Sequence, residues 1–317
     1  MNPSLGEVLA VGDCGINCGE IGDVVGVCAE APLPRIAVRE EAYSLAGVGG
    51  IASQLRRWGC RPAVCIPLGD GLVSDLQRKV LRRECISFEA LLTGKPQVIR
   101  LTRRIFAGGH QHAHLETEER VPPRAQSVNQ DCVKKLIRTS ASFGLLCVLD
   151  CGISGLDERL LGQIVGAVRQ AKTQVLYEPR HGELLKVNNV DFLKVNQNQV
   201  SQWFGVTPQN DKEALAALAR IARHSTADAL VYSRGERGIL VLQRVNKQHK
   251  YVFIEPIKQS LYDLISAGDV LTAGLAFGIS RGYSLLEASC LAVSAAELSL
   301  DRRHDNKLLD LDQILSR

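Results

Sequence analysis

Asp263-Leu264-Ile265-Ser266-Ala267-Gly268-Asp269-Val270-Leu271-Thr272-Ala273-Gly274-Leu275-Ala276 is the stretch on which the fold of this chain turns. Small residues here open a helix and leave an aspartate in its first turn. The first N–H groups of a helix have no partner within it, and together with the helix dipole they form an anion site. Small side chains let a phosphate approach that backbone. An aspartate at the same place can take a proton from an attacking alcohol. A plain N-terminal cap, with Asp269 favouring the dipole, is the alternative. Spacing alone leaves both open.

Outward from this segment, short apolar runs alternate with longer amphipathic ones. Strands are expected at 7–13, 61–66, 143–150, 173–177, 191–195 and 229–233, and helices at 49–58, 73–83, 130–139, 155–171 and 211–224. Such alternation implies parallel βαβ units covered on both faces. Two antiparallel pieces interrupt it. Residues 97–106 and 110–116 flank Ala107-Gly108-Gly109, whose glycines can supply positive φ in a hairpin turn, and 239–244 pairs with 251–255. Long helices at 266–281 and 285–300 close the last third, and 301–307 reads as a surface connection to a final helical turn. With no repeat, low-complexity tract or linker, the expectation is one α/β domain over 1–317.

Composition narrows the class. Of 317 residues, 45% are hydrophobic and 23% charged, which excludes disordered and collagen-like chains, and the net charge of +4 is too mild for a nucleic-acid binder. No apolar run approaches the roughly 20 residues that span a bilayer, and no secretory leader is evident. A cytoplasmic protein with no membrane association is the expectation. The ten cysteines are too sparse for a disulfide scaffold, and several sit in apolar runs such as Leu145-Leu146-Cys147-Val148-Leu149. Cys14 and Cys18 lack the second pair that a zinc ribbon needs, so no metal site is assigned.

The quoted segment resembles the PfkB/ribokinase family of carbohydrate kinases, whose C-terminal motif is Asp-x-x-Gly-Ala-Gly-Asp. Further landmarks follow in order. Val8-Leu9-Ala10-Val11-Gly12-Asp13 and Ala29-Glu30-Ala31-Pro32-Leu33-Pro34 are similar to the start of the heptose-phosphate kinase domain of bifunctional ADP-heptose synthesis proteins. Residues 45–59 resemble its Pro-Gly-Gly-Ala-Ala-Asn segment. Thr102-Arg103-Arg104 and Leu115-Glu116-Thr117-Glu118-Glu119 resemble its lid hairpin. The resemblance implies a ribokinase-like three-layer α/β/α sandwich with a mainly parallel central sheet and a small β lid at about 14–45 and 94–120. It implies transfer of the ATP γ-phosphoryl group to a sugar or sugar-phosphate hydroxyl with Mg²⁺. Asp269 would be the base, and the Ala267, Gly268 and Asp269 amides the anion hole. Asn196, Gln199, Ser233, Gly235 and Gly238 would lie on the nucleotide side, and Asn17, Gly47, Gly50 and His114 on the sugar side. It also implies a homodimer through the lid. The cytidylyltransferase-like half of the bifunctional proteins has no counterpart here, so a complete ADP-heptose synthase is not expected.

The departures from that pattern form a set. Asn17 stands where the family has a sugar-gripping aspartate, and an amide offers one acceptor and two donors where a carboxylate only accepts. The substrate loop becomes Ala46-Gly47-Val48-Gly49-Gly50, without its asparagine. Gly108-Gly109-His110-Gln111 replaces a polar run of the lid, and Asp150-Cys151-Gly152-Ile153-Ser154-Gly155 loses a lysine. On the nucleotide side, Asn-x-x-Glu reads Asn196-Gln197-Asn198-Gln199, removing a charge that a divalent ion favours. Asp-Pro becomes Glu178-Pro179, Gly-Ala-Gly-Asp becomes Ser266-Ala267-Gly268-Asp269, and Val293 replaces an asparagine beside the adenine site. Ser233-Arg234-Gly235-Glu236-Arg237-Gly238 keeps the nucleotide-side turn. Two readings stand: a working kinase of altered sugar specificity, and a degenerate kinase fold kept for binding, regulation or assembly.

Other signals have plainer explanations. Gly47-Val48-Gly49-Gly50 imitates a dinucleotide fingerprint but follows no buried parallel strand, and Gly94-Lys95-Pro96 lacks the flanks of a phosphate loop. His110, His112 and His114 alternate, which on a strand places them on one face. A lid strand turned to solvent or substrate is favoured there over a transition-metal site. The short basic pairs at 56–57, 82–83 and 103–104 read as solvated faces.

Overall fold

The computed structural model of the chain describes residues 4–91, 93–123, 126–140, 142–179, 189–245, 248–256, 267–300 and 308–316. Asp263 and Ser266 of the motif segment, and the connection at 301–307, lie outside the described residues. In chain order, the first part holds β1 (Ser4–Gly12), β2 (Cys14–Val27), β3 (Pro34–Gly47), α1 (Val48–Arg57), β4 (Arg61–Ile66), α2 (Leu72–Arg83) and β5 (Ser87–Ala90). The middle holds β6 (Gln97–Ala107), β7 (His110–Val121), α3 (Gln126–Ser140), β8 (Phe143–Leu149), α4 (Glu158–Gln170), β9 (Gln174–Glu178), β10 (Phe192–Asn196), α5 (Gln197–Phe204) and α6 (Asp211–His224). The last part holds β11 (Ala229–Ser233), β12 (Ile239–Val245), β13 (Gln248–Ile254), α7 (Ala267–Ser280), α8 (Leu285–Leu300) and α9 (Leu311–Leu315).

Nine strands form the main sheet in the order β13-β12-β11-β10-β9-β8-β1-β4-β5, parallel from β11 to β5 and antiparallel at the β11–β12–β13 edge. Alternate residues of β1 serve opposite layers. Val8 and Ala10 join a core with α1, α7 and α8, while Leu9 and Val11 join one with α4 and α6. This is the three-layer α/β/α sandwich that the resemblance implies, with the sheet covered on both faces as the alternation implies. No described helix is long and apolar enough to cross a membrane.

The helix carrying the motif is the most enclosed: every residue of α7 from Leu271 to Ser280 is buried. It packs on α8 through a seam of small residues. A Cβ on Gly274 would stand 2.5 Å from the Ala292 Cα, and one on Gly278 would stand 2.5 Å from the Ala288 Cβ. The two backbones therefore touch, which fixes the depth and angle at which the start of α7 meets the sheet.

A second sheet, β3-β2-β6-β7, forms the lid. The hairpin at Ala107-Gly108-Gly109 stands as expected, with φ of +57° and +80° at the two glycines. β2 and β6 pair in parallel and join the two lid hairpins into one sheet. The row of three histidines does not form as expected. A register shift between Ile105 and Phe106 places Ala113 and Gln111 opposite them, leaving His112 in the bulge, so strict alternation ends there. His112 Nε2 instead lies 3.1 Å from the Ala107 carbonyl oxygen.

Gly274→Val pushes a branched side chain into the Ala292 backbone. It is expected to cost about 3 kcal/mol of stability, read as a lower urea midpoint with an unchanged m-value.

Candidate active site at the start of α7

Two helix N-termini meet here. α1 begins directly after Gly47, and α7 begins at Ala267 with Asp269 in its first turn. The Gly47 N–H donates to Asp269 Oδ2 at 2.8 Å, and a Cβ on Gly50 would stand 3.2 Å from the same oxygen. Gly47 has φ +62°, and a Cβ on it would strike the Asp13 carbonyl oxygen at 2.3 Å, so the turn between lid and α1 requires glycine. Burial raises Asp269 to about 6, with Glu178 adding to the shift while the Gly47 N–H and Lys194 oppose it.

Behind this point lies a polar anchor that the sequence reading passed over. Asp13, only 4% exposed, accepts from the backbone N–H of Cys151 and, at 3.1 Å, from that of Ile153. Its own carbonyl oxygen accepts from the Val48 N–H at 2.9 Å. The ends of β1 and β8 and the start of α1 are thus tied through one residue. Burial, with Asp150 nearby, raises Asp13 to about 7 against the pull of those amides. The Val-Gly-Asp landmark was legible, but its service to three chain segments was not.

A second anchor holds α7 from below. Lys194 Nζ and Glu178 Oε2 form a buried pair at 2.7 Å. Thr272 Oγ1 lies 3.1 Å from that carboxylate and 2.9 Å from the Gly268 carbonyl oxygen, so its one proton serves either acceptor. β9, β10 and the first turn of α7 are locked together by these side chains. A lysine inside an otherwise apolar strand, Phe192–Asn196, was the signal available for it.

Of the residues expected on the nucleotide side, Asn196, Ser233, Gly235 and Gly238 line one cleft of ≈ 460 Å³ together with Ala267 and Gly268. A Cβ on Gly268 would meet no atom within 4 Å, so the helix start faces open space. Gly238 has φ +69°, and a Cβ on it would stand 2.1 Å from the Ile254 carbonyl oxygen. Gln199 is not brought into the cleft. It closes a capping box with Asn196, its Oε1 accepting from the Asn196 N–H at 2.6 Å, while its Nε2 donates to the Pro179 carbonyl at 2.7 Å. A glutamate could not make that last bond.

Of the residues expected on the sugar side, Asn17 is 7% exposed, and its Oδ1 accepts from Arg104 Nη1 at 3.2 Å. Asn17 pairs with Thr102, and Arg104 pairs with His114, so Asn17, Arg104 and His114 share one face of the lid. His114 stands on the outer strand, 44% exposed at its side chain, beside Glu116 at 3.4 Å. Gly47 and Gly50 meet Asp269 directly, whereas the partners of Asn17 and His114 lie within the lid sheet.

A parallel sheet, a helix start open to a cleft and a β lid define a small-molecule kinase fold. The chain belongs to the pfkB family of carbohydrate kinases, whose profile matches residues 8–310. Among curated relatives, the bifunctional protein HldE of Hyphomonas neptunium is 25% identical over 296 residues, covering 93% of this chain and 60% of its own. That of Syntrophotalea carbinolica is 24% identical over 287 residues, covering 90% and 58%. The chain thus spans about 60% of the length of these relatives. Among solved structures, the tetrameric inhibited form of Escherichia coli phosphofructokinase-2 superposes with a TM-score of 0.76 at 15% identity, covering 99% of this chain and 98% of that one. Arabidopsis thaliana ribokinase complexed with ribose and ATP gives 0.70 at 14%, with the same coverage. The fold is ribokinase-like.

Two outcomes test these anchors. Lys194→Met strands the Glu178 carboxylate and is expected to cost about 3–5 kcal/mol, measured by denaturant titration. The folded-state value of about 6 for Asp269 lies above the 3.8 of a free aspartate, so the folded chain holds this proton more tightly. The group therefore costs stability increasingly as pH rises from 4 to 6, and the cost persists above that window. Asp269→Asn removes it. The variant should match the wild type near pH 4 and exceed it by on the order of 2 kcal/mol at pH 7, followed by melting at both pH values.

Proposed function

We propose that the protein transfers the γ-phosphoryl group of ATP to a hydroxyl of a sugar or sugar phosphate, with Asp269 as the base. The observation that carries this reading is the placement of Asp269. Its carboxylate stands in the first turn of α7, is oriented by the Gly47 N–H, and adjoins a helix start that opens on the cleft of Asn196, Ser233 and Gly238. Asp269 takes the hydroxyl proton, the freed oxygen attacks the γ-phosphorus, and the bond to the ADP oxygen breaks. The Ala267, Gly268 and Asp269 amides receive the charge that spreads over the transferred group. A base held near 6 is largely ionised at neutral pH yet still basic enough to accept a proton.

Members of this family use ATP, generally with Mg²⁺. The two positions where the family pattern has ion-side carboxylates do not suit a resident Mg²⁺: Glu178 is committed to Lys194 and Thr272, and Gln199 is an amide bonded at both ends. The divalent ion fits this chain as a component of the metal–triphosphate substrate. On the acceptor side, Asn17 spends its oxygen on Arg104 and so presents donors where the family presents a carboxylate, which turns the acceptor away from heptose phosphate. Exposed Val24, Val27, Val38 and Leu115 on the lid support a homodimer through that sheet, acting in the cytoplasm.

Asp269→Asn is expected to lower kcat about 10²–10⁴-fold while leaving the dissociation constant for the nucleotide unchanged. The wild-type rate should fall on an acid limb near pH 6. Sugar-dependent nucleotide hydrolysis that survives the substitution would overturn the role of Asp269. Absence of any sugar-dependent turnover across a sugar and sugar-phosphate panel would leave the degenerate binding protein.

A further inference from the structure

A second cavity, of ≈ 790 Å³, lies away from Asp269. Arg61 and Phe143, which open β4 and β8, line it, whereas Asp13 stands where β1 and β8 finish. Its outer wall is α3, which meets the sheet through Leu136 and through an ion pair of Lys135 with Glu89 of β5 at 2.8 Å. Two thiols meet under this helix. Cys65, on β4, lies in the core shared with Leu9, Val11 and Leu136 and is 2% exposed. Cys132, on α3, is half-buried, and its Sγ donates to the Ala90 carbonyl oxygen at 3.5 Å. Ala90 stands in register with Ile66, the neighbour of Cys65, so the Cys132 sulfur sits over β4 and β5 at the level of Cys65. Both residues line the cavity, and their side chains are hydrogen-bonded to one another.

We propose that Cys65 and Cys132 form a disulfide when the chain meets a peroxide, fastening α3 to β4. The pair stands apart from the phosphoryl-transfer site and does not depend on it. Cys132 reacts first, because it is the sulfur within reach of solvent, and Lys135 one turn along the helix favours its thiolate. The thiolate attacks one peroxide oxygen. An S–O bond forms, the O–O bond breaks, and the departing hydroxide takes up the thiol proton and leaves as water. Cys132 is then a sulfenic acid. The hydrogen bond to Cys132, together with burial, holds the Cys65 thiol well above the ordinary cysteine value, so Cys65 keeps its proton until this point. Its sulfur then attacks the sulfenic sulfur. The S–S bond forms, the S–O bond breaks, and the Cys65 proton leaves with the hydroxyl as a second water. Each sulfur has given up one electron, and each peroxide oxygen has taken one. The sulfurs need only close from contact to about 2 Å, and a helix set over a cavity has room for that movement. In a reducing compartment the pair rests as two thiols, and the bond lasts as long as the oxidant does.

The test is to treat the full chain with hydrogen peroxide, alkylate it under denaturing conditions and map the digest by mass spectrometry. A Cys65–Cys132 linked peptide is expected, and dithiothreitol should abolish it. Amide exchange across 126–140 should slow at least about tenfold in the linked chain. Cys132→Ser should leave Cys65 fully alkylatable at the peroxide concentration that links the wild-type pair. Three results overturn the inference: Cys132 driven to sulfinic acid with Cys65 still a thiol, either residue linked to a different cysteine, or no oxidation at either. Exchange in α3 that the bond leaves unchanged overturns the fastening of the helix. The wild-type map decides the matter even where Cys132→Ser fails to fold.

Discussion

The bond from the Gly47 N–H to Asp269 Oδ2 joins the two ends of the chain's chemistry. Residues 222 positions apart are held at one point, because one helix starts where the lid ends and another starts where the cleft opens. Each N-terminus contributes unpaired amides and positive potential. A carboxylate set between them is stabilised as an anion, while its burial acts the other way, and the balance leaves it titrating well above an ordinary aspartate. Everything else serves to keep these helices fixed: the Gly274–Ala292 seam on one side of α7, the Glu178–Lys194–Thr272 set beneath it, and Asp13 behind α1.

Much of this was legible in the residues. The parallel strands read correctly because they are buried on both faces, and 61–66, 229–233, 211–224 and 285–300 coincide with the observed elements. β2 and β3 gave a weaker signal. β2 carries Gly15, Gly19, Gly22 and Gly26, and most of β3 is exposed, so neither shows the apolar alternation that marks a half-buried strand. They entered through the family resemblance alone. α5 was hidden for another reason: its Asn196 and Gln199 were read as chemistry, although together they form the capping box that starts the helix. The interior bonds of Asp13 and Lys194 depend on residues 138 and 16 positions away, and no local pattern announces them.

The departures from the family pattern are built into this structure rather than tolerated by it. Gln199 uses both ends of its amide, and Asn17 uses its oxygen on Arg104. The Gln199 position has become part of a closed hydrogen-bond set, while Asn17 gives its oxygen to the Arg104 guanidinium and keeps its amide nitrogen as a donor.

The parallel pairing of β2 with β6 has a consequence for how the molecule is made. The lid is one sheet assembled from two hairpins that lie on either side of α1, β4, α2 and β5 in the chain. During synthesis, the first hairpin emerges with its valines and one strand edge bare, and it waits until β6 has also left the ribosome before it is paired. The nascent chain therefore carries an adhesive, unpaired strand for much of its early life. The charged side chains that flank those valines, Glu20, Asp23, Arg39, Glu40 and Glu41, then act as its guard against pairing with the wrong chain.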